Sequence, residues 1–551
     1  MGFSHYSRQT RWHPPTFFFF HLHILRKPRS FWTLAYTAAT AVKTRMALCD
    51  TFRRCFQRPP AAPSPVLVLF TTILLAQSAI AANPFTCYAN DFVDPAYATA
   101  GRYASYLKGA QDTVIAWAEE MNSHGPWSVT FKPVVAPSGN KHDYMSWAPY
   151  QWPDCSSVGN KTALSPAQVR KTCPYVFRDG EVNPERSIPD DFQSFFNLSD
   201  AILYNALAFT FQNESSSVYS QNVAKYIKTW FLDSNTSMNP NLNYAQMNLG
   251  PEGQRGEYTG ILDLRMFAKI ASGILIIRTR GSADWTPDID SGFVAWCKKY
   301  IAWLQTAPTA KQAAAAKNNH GTFYVNQLMS LMLLVNDTAG ATKVGRGYFG
   351  GIYKGQIASD GNQPMEATRS RPYHYRNFNI AGMITNARLL KYADPTSNDW
   401  NTTSSGATIQ TAVDFLMATN PGATHETNVT AEIYPNVEAV AATYGDPQGK
   451  YGRFLNASGF PYKDDASFLW DRPLTRVIKA GSGAGTQPSL GPDNSVGIIS
   501  PGPSTSSNGA VPTTSLNGAA PPTGSSGATP VRPVHAFTVL NGLLLVLGWR
   551  L

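Results

Sequence analysis

The chain has 551 residues, 43% of them hydrophobic and 12% aromatic, which is enough to bury a large core. Its net charge of +10 would suit a nucleic-acid-binding protein, but residues 1–58 hold ten of the 46 basic residues and one of the 36 acidic residues. The rest of the chain carries 36 basic and 35 acidic residues and is nearly neutral. The charge therefore excludes a strongly basic body and predicts no nucleic-acid partner.

The first 81 residues have the features of a leader that contains a signal peptide. Residues 65–77 form a short apolar run after the basic stretch, and Ala79 and Ala81 supply the small residues of a cleavage site. The run is too short to span a bilayer comfortably, so an uncleaved amino-terminal anchor is the less favoured alternative. Met46 is the more conventional start for such a peptide, and we interpret the residues before it as a gene-model extension.

The cysteines and glycosylation acceptors agree with export. Of the four cysteines after Ala81, we expect Cys155 and Cys173 to pair because this disulfide closes a local loop, although four cysteines allow three connectivities. Sequences of the form Asn-x-Ser/Thr predict a glycoprotein and begin at Asn160, Asn197, Asn213, Asn235, Asn336, Asn401, Asn428 and Asn456.

Residues 82–479 are predicted to form a single large domain of the all-α class. Apolar residues recur at helical spacing in seven segments: Ser199–Thr210, Val218–Leu232, Ile261–Arg278, Gly292–Leu304, Phe323–Val335, Asn377–Tyr392 and Ala407–Met417. Ser291 and Thr322 are predicted as amino-terminal caps, and strand-like alternation is confined to Trp127–Val135. Consecutive helices with modest loops predict antiparallel hairpins stacked into an α/α toroid, an incomplete barrel around a central groove.

The carboxyl-terminal part of the sequence predicts a tether to the cell surface. Residues 480–526 are rich in Ser, Gly, Pro and Thr, a composition typical of a disordered linker. Small residues at Ser525–Gly527 precede a polar spacer and the apolar run 536–547, so we predict that residues 527–551 are a glycosylphosphatidylinositol (GPI) anchor signal. The alternative is a disordered tail that ends in apolar residues.

Two polar clusters stand immediately before predicted helices. Asn318, Asn319 and His320 precede one apolar helix, where amide and imidazole groups and free backbone donors create a suitable place for an anion. The second cluster, at 366–378, combines guanidinium, imidazole and phenol groups. Aromatic and polar residues in the loop 143–154 and around Tyr244 are suited to stacking on sugar rings.

At these residues the chain resembles the alginate-lyase domain family of polysaccharide lyases. The resemblance is carried by five motifs in order, from Asp143 to Phe378: DYMSWAPYQWPD (143–154), YVFRDGEVNPE (175–185), NPNLNYAQ (239–246), NNHG (318–321) and ExxRxRPYHYRNF (366–378). It implies an α/α toroid with a deep cleft and an acidic polysaccharide as substrate. It also implies four catalytic positions: Asn319, His320, Arg369 and Tyr375.

β-Elimination explains why these residue types are needed. The enzyme removes the C5 proton of a uronate and expels the O4 leaving group, so Asn319 and Arg369 are expected to neutralise the carboxylate. Tyr375 is expected to act as acid and base on one face, with its pKa lowered by neighbouring cations. His320 is the base for a proton on the opposite face, or else holds the tyrosine and the carboxylate. Six further residues are predicted to bind substrate: Asn318, Arg371, His374, Tyr244, Trp147 and Trp152.

Several alternatives remain open from the sequence. Arg371 takes the role of Arg369 if the motif is shifted by two residues. A helical-toroid glycoside hydrolase would need two carboxylates, for which Asp263, Glu257 and Glu366 are candidates. A non-catalytic cell-surface carbohydrate-binding protein is the remaining hypothesis. The histidines lack metal-ligand spacing, and the predicted chemistry needs no metal or organic cofactor; the sequence indicates no oligomeric state.

Overall fold

The computed structural model describes residues 91–469, apart from residues 102, 104, 160–162, 213, 402 and 460–463. The predicted leader with its signal peptide (1–81), the linker (480–526) and the anchor signal (527–551) lie outside these residues. Within them, no helix is long and apolar enough to cross a membrane.

Helices dominate the described part of the chain. In chain order they are α1 (Pro95–Thr99), α2 (Lys108–His124), α3 (Pro166–Thr172), α4 (Asp191–Thr210), α5 (Val218–Ile227), α6 (Phe267–Arg280), α7 (Pro287–Thr306), α8 (Pro308–Ala315), α9 (Asn319–Leu334), α10 (Thr338–Gly350), α11 (Pro364–Ala367), α12 (Pro372–Ala393), α13 (Ile409–Met417), α14 (Tyr434–Tyr444) and α15 (Lys450–Ala457).

The long helices form an inner and an outer layer. The inner helices α4, α6, α9, α12 and α14 each contact the next one, and every residue of α9 except Tyr324 is buried. The outer helices α5, α7, α10 and α13 alternate with them along the chain and bury a single stripe, as α7 does between Ile289 and Leu304. This arrangement confirms the predicted all-α class and the toroid of helical hairpins.

The alternation of layers sets the direction of the inner helices. Because an outer helix returns the chain after each inner helix, α4, α6, α9 and α12 run in the same sense. Their amino-terminal ends therefore lie at the same end of the toroid. Backbone N–H groups without intrahelical partners concentrate there, which favours negatively charged ligands at that end.

Two predicted helix caps were wrong because the helices begin earlier than the apolar pattern. Helix α9 begins at Asn319, and the side chain of Asn318 caps it by accepting from the His320 N–H. Thr322 is buried inside α9, where its hydroxyl donates to Asn379 Oδ1 at 2.8 Å. Ser291 lies within α7, whose cap is Thr286.

Four short strands form two separate pairs beside the helices. Strand β1 (Met145–Trp147) pairs in parallel with β4 (Tyr244–Met247), and β2 (Gln151–Pro153) pairs antiparallel with β3 (Tyr175–Phe177). The strand-like alternation between Trp127 and Val135 does not correspond to a strand. Residues Val129–Phe131 form a 3₁₀ turn instead, because the Ser128 side chain caps it by accepting from Thr130 N.

A disulfide joins the two ends of the connection between β2 and β3, and we call these strands with their connection the β2–β3 hairpin. Cys155 and Cys173 are bonded, as predicted, and the Asp154 N–H next to them donates to the Pro174 carbonyl at 2.8 Å. Cys297, by contrast, is a free cysteine buried in α7. The disulfide thus helps to hold the two strands of the hairpin together.

Candidate active site

A cleft of about 720 Å³ lies at the amino-terminal ends of the inner helices. Residues at the start of α4, α9 and α12 line it, together with the β2–β3 hairpin and the 3₁₀ segment Tyr258–Leu264 that precedes α6. Seven residues predicted from the sequence meet in this cleft: Asn318, Asn319, His320, Arg369, Arg371, His374 and Tyr375.

Three predicted substrate-binding aromatic residues do not line the cleft. Trp147 is 7% exposed and packs in a small apolar cluster, which Tyr244 also contacts. The guanidinium of Arg170 lies 5.3 Å from the centroid of the Trp147 ring. Trp152 donates its indole N–H to the Glu181 carbonyl at 2.8 Å. These three side chains therefore have structural partners outside the cleft.

Glu366 fixes the start of α9. Its buried carboxylate accepts the Asn319 backbone N–H at 2.9 Å and the Asn319 side-chain amide at 2.8 Å. Burial raises the pKa of Glu366, and the two hydrogen bonds from Asn319 oppose that effect. Asn319 itself is buried at the cleft wall, so its amide holds the helix terminus in place and is not freely presented to a ligand.

His320 is held in one orientation and is kept neutral. Its Nδ1 lies 3.0 Å from Asn318 Oδ1, an acceptor, so Nδ1 carries the proton and Nε2 keeps its lone pair. Burial lowers the pKa of His320 to about 4, with a smaller contribution from the positive charge of Arg369. An imidazole in this state can accept a proton at neutral pH.

Arg369 joins the two walls of the cleft. Its guanidinium donates to both carboxylate oxygens of Asp179, at 2.6 Å and 3.3 Å, and Asp179 also accepts the Ser370 N–H. Burial opposes ionisation of Asp179, but the hydrogen bonds from Arg369 and Ser370 lower its pKa. The Arg369 guanidinium carbon lies 3.7 Å from the centroid of the Tyr375 ring, so one arginine contacts both residues.

The phenol of Tyr375 is hydrogen-bonded to a second phenol. Its hydroxyl lies 2.7 Å from that of Tyr150, a residue of the opposite wall. Burial, followed by the neighbouring Tyr150, raises the pKa of Tyr375, and the charge of Arg369 only partly offsets this. The prediction that neighbouring cations lower this pKa was therefore wrong, and Tyr375 is protonated at neutral pH.

His374 belongs to the carboxylate-capped start of α12. Glu426 accepts the backbone N–H groups of Tyr373 and His374 at 3.0 and 2.9 Å, which caps the helix. The His374 ring nitrogen Nδ1 lies 2.8 Å from the Glu432 carboxylate. These contacts fix the helix turn on which Tyr375 stands.

Positive side chains outnumber negative ones in the cleft lining. Four arginines line the cleft, against a single carboxylate, Glu257. Arg371 makes no ion pair with any residue that the structure describes, whereas Arg369 is paired with Asp179. The four arginines are Arg186, Arg265, Arg369 and Arg371.

The carboxylates considered for a hydrolase do not meet in this cleft. Asp263 is buried and accepts hydrogen bonds from Tyr144, Ser146 and Gln246 beneath the β1–β4 pair. Glu366 is buried and bonded to Asn319. Only Glu257 remains in the cleft lining, and hydrolysis by an acid and base pair would need a second carboxylate.

Sequence reasoning missed Tyr150 and Asp179 as parts of the site, and it considered Glu366 only as a carboxylate of the alternative hydrolase. Tyr150 and Asp179 occur inside two of the quoted motifs, but they are 225 and 190 residues away from their partners Tyr375 and Arg369. Their positions inside those motifs are the signal that the sequence offers for Tyr150 and Asp179. Among the described residues, no cluster of three His, Cys, Asp or Glu side chains could hold a metal ion.

Comparison with known proteins identifies the family. Residues 128–425 match the family described as Alginate lyase. An alginate lyase crystal structure from Bacteroides ovatus is similar, with 26% identity, a TM-score of 0.58, and coverage of 67% of this chain and 94% of that one. Alginate lyase A1-III from Sphingomonas species A1 is 14% identical with a TM-score of 0.37, covering 65% of this chain and 94% of that one. None of the curated proteins compared with the chain matches it. Since the family match spans more than half of the sequence, the chain belongs to the alginate lyase family and is a polysaccharide lyase.

Proposed function

We propose that the protein cleaves a uronic-acid polymer, such as alginate or glucuronan, by β-elimination and leaves an unsaturated uronate end. One observation carries the proposal: a neutral imidazole, His320, and a protonated phenol, Tyr375, line the same arginine-rich cleft. These are the protonation states that a base and an acid need at neutral pH.

The cleft is suited to polyanion binding although the body of the protein is nearly neutral. Arg371, which has no ion pair with a described residue, is available to a uronate carboxylate. Arg369 can reach a carboxylate only by sharing its guanidinium with Asp179. The first N–H groups of α9 and α12 already bond to Glu366 and Glu426, so the positive charge of the lining comes from its arginine side chains. Recognition of the polymer is therefore local to the cleft.

The proposed reaction transfers one proton at each end of the bond that breaks. His320 Nε2 accepts the C5 proton, and the electron pair left on C5 forms the C4–C5 double bond as the bond from C4 to O4 breaks. Tyr375 donates its phenolic proton to O4 of the departing chain, and exchange with solvent restores both groups. Arginine neutralises the carboxylate, which lowers the cost of negative charge at C5.

The pKa directions favour His320 over Tyr375 as the base. Tyr375 would first have to lose its proton, and its pKa is raised above the ordinary value of a phenol. The imidazole already has a free lone pair at any pH above about 4. The phenol is accordingly assigned to the leaving group.

A panel of polyuronides tests the proposed function. Incubation with alginate, mannuronate-rich and guluronate-rich fractions and glucuronan is expected to give ultraviolet absorbance from the unsaturated product on at least one polymer. New reducing ends without that absorbance would indicate a hydrolase and contradict the proposal. Binding without either product would indicate a non-catalytic carbohydrate-binding protein.

Asp179→Asn is expected to lower kcat about tenfold while KM for the polymer stays the same or falls. The substitution weakens the ion pair that holds Arg369 against the Tyr375 ring, and a hydrogen bond to a charged group contributes on the order of 1.5–3 kcal/mol. Removal of a negative charge at the cleft also favours binding of a polyanion. Steady-state kinetics on the best polymer of the panel measure both constants.

Glu181→Gln is the matched control for this prediction. Glu181 lies two residues away in the same loop, is largely exposed, and faces Arg178 at 3.7 Å, so its loss removes the same charge without touching Arg369. The positioning role of Asp179 would be contradicted if both variants had the same kcat as the unmodified protein.

We also propose that the protein is exported, glycosylated and tethered to the outer cell surface by a GPI anchor. Support comes from the leader, from the Ser525–Gly527 segment with its apolar tail, and from exposure of five described acceptor asparagines. These asparagines are Asn235, Asn336, Asn401, Asn428 and Asn456.

Release of the protein from cells by a phosphatidylinositol-specific phospholipase tests the tether. A mature amino terminus near Ala82, determined by mass spectrometry, tests the signal peptide. Persistence on membranes with a cleavable anchor control, or an amino terminus at Met1, would contradict the respective part of the proposal.

A further inference from the structure

Phe177 exposes an aromatic ring at the wall of the cleft. It is 62% exposed, the highest value among the exposed large hydrophobic residues of the described part of the chain, and it lines the cleft together with Val182, which is 45% exposed. Burying a phenylalanine side chain is worth about 1.5–3 kcal/mol, so an open ring here is an unused binding surface.

Strand pairing determines which side chains of the hairpin face the cleft. Gln151 is paired with Phe177, and Trp152 is paired with Val176. Paired residues point to the same face and neighbouring residues point to opposite faces, so the cleft-lining Gln151 and Phe177 share one face. Trp152 lies on the other face, where the Arg178 guanidinium is 5.3 Å from its ring centroid. The hairpin thus presents Phe177 to the cleft, in place of the tryptophan expected from the sequence.

The ring is linked to the reaction centre through a single neighbour. The Phe177 and Tyr150 rings meet in a T-shaped contact with centroids 6.2 Å apart, and the Tyr150 hydroxyl lies 2.7 Å from that of Tyr375. The hairpin that carries Phe177 is closed by the Cys155–Cys173 disulfide. Any ligand on this ring is therefore close to the bond being cleaved, and the surface is held in place before the ligand arrives.

We propose that Phe177 is the stacking platform of a sugar subsite at the cleft wall. This subsite binds the apolar C–H face of a pyranose ring that neighbours the uronate undergoing elimination. The occupant is a further uronate residue of the same polymer, and in this respect the inference rests on the proposed function. The amide of Gln151, paired with Phe177 on the same face, supplies a hydrogen-bond partner for a hydroxyl of that sugar. An aromatic ring suits this C–H face because the carboxylate and hydroxyl groups of the sugar project from the edge of the pyranose ring.

Phe177→Ala is expected to raise KM for the polymer roughly tenfold and to leave kcat unchanged. Phe177→Trp should keep the affinity, since it preserves an aromatic face. Val176→Ala is the matched control because Val176 is an exposed residue, 38% accessible, on the opposite face of the same strand. The effect should shrink on the shortest oligosaccharide that is still cleaved, which leaves the subsite empty.

Direct binding separates this inference from the proposed function. Affinity electrophoresis in each polymer of the panel is run on Tyr375→Phe and on Tyr375→Phe combined with Phe177→Ala, so that cleavage does not interfere. Weaker retention of the double variant supports the platform whether or not the protein forms an unsaturated product. Absence of that product from every polymer would contradict the lyase proposal and leave the platform standing. Equal retention of the two, or an equal KM for Phe177→Ala and Val176→Ala with circular dichroism unchanged, would overturn the platform.

Discussion

Replacement of Tyr375 by phenylalanine is expected to lower kcat by on the order of 10²-fold or more, with little change in KM. The substitution keeps the ring under the Arg369 guanidinium, 3.7 Å from its centroid, and removes only the hydroxyl that protonates the leaving oxygen. Initial rates of product absorbance on the best polymer measure the loss.

Tyr373→Phe provides the comparison for this variant. Tyr373 is buried two residues earlier in α12, does not line the cleft, and has a hydroxyl whose distance to the Thr430 carbonyl is 3.5 Å. Its loss should leave turnover near normal. If Tyr375→Phe also kept near-normal elimination with the fold intact, the assignment of Tyr375 would be wrong, and the Tyr150 phenol 2.7 Å away would be the next candidate for the acid.

The pH dependence of kcat/KM should show an acid limb near pH 4, set by His320. A base works only when unprotonated, and the folded protein lowers the pKa of His320 to about 4 from the ordinary value of 6.5. Activity is thus retained as pH falls through 6.5 and is lost only as pH falls through about 4. A profile measured with buffers that span both values distinguishes this base from a solvent-exposed histidine.

His320→Ala is expected to lower kcat by on the order of 10²-fold or more and to abolish that acid limb. His124→Ala, at the exposed end of α2, removes an imidazole that is not part of the cleft lining and should leave the profile unchanged. A variant of His320 that raised KM but kept kcat and the limb would contradict the assignment as base. The ring would then serve to hold the carboxylate.

The amino-acid pattern predicted the positions of helices better than the hydrogen-bond partners of individual side chains. The polar run 318–320 before a strongly apolar segment was correctly placed at the start of a helix, because the helix period is visible along the chain. The amino-terminal cap of α9 was predicted at Thr322 and lies at Asn318. A threonine hydroxyl can also bond to a neighbouring helix, as that of Thr322 does with Asn379 of α12. Local spacing does not distinguish these two uses of a hydroxyl.

The site was predictable where neighbouring helices bring motifs together. Packing of α9 against α12 places His320 and Tyr375, both implied by the family resemblance, in the same cleft. The contacts of Asp179 and Tyr150 span about 200 residues, and no local pattern encodes them. The raised pKa of Tyr375 was also beyond reach, since it depends on burial by segments distant in the chain.

The carboxylate caps of the inner helices have a consequence for the charge of the cleft. A helix start carries the equivalent of roughly half a positive charge, which belongs to the main chain. At α9 and α12 this charge already faces the carboxylates of Glu366 and Glu426, which bond to the first N–H groups. The attraction of the cleft for an acidic polymer therefore depends on its arginine side chains, and single substitutions can change it during divergence while the caps keep the helix starts in place.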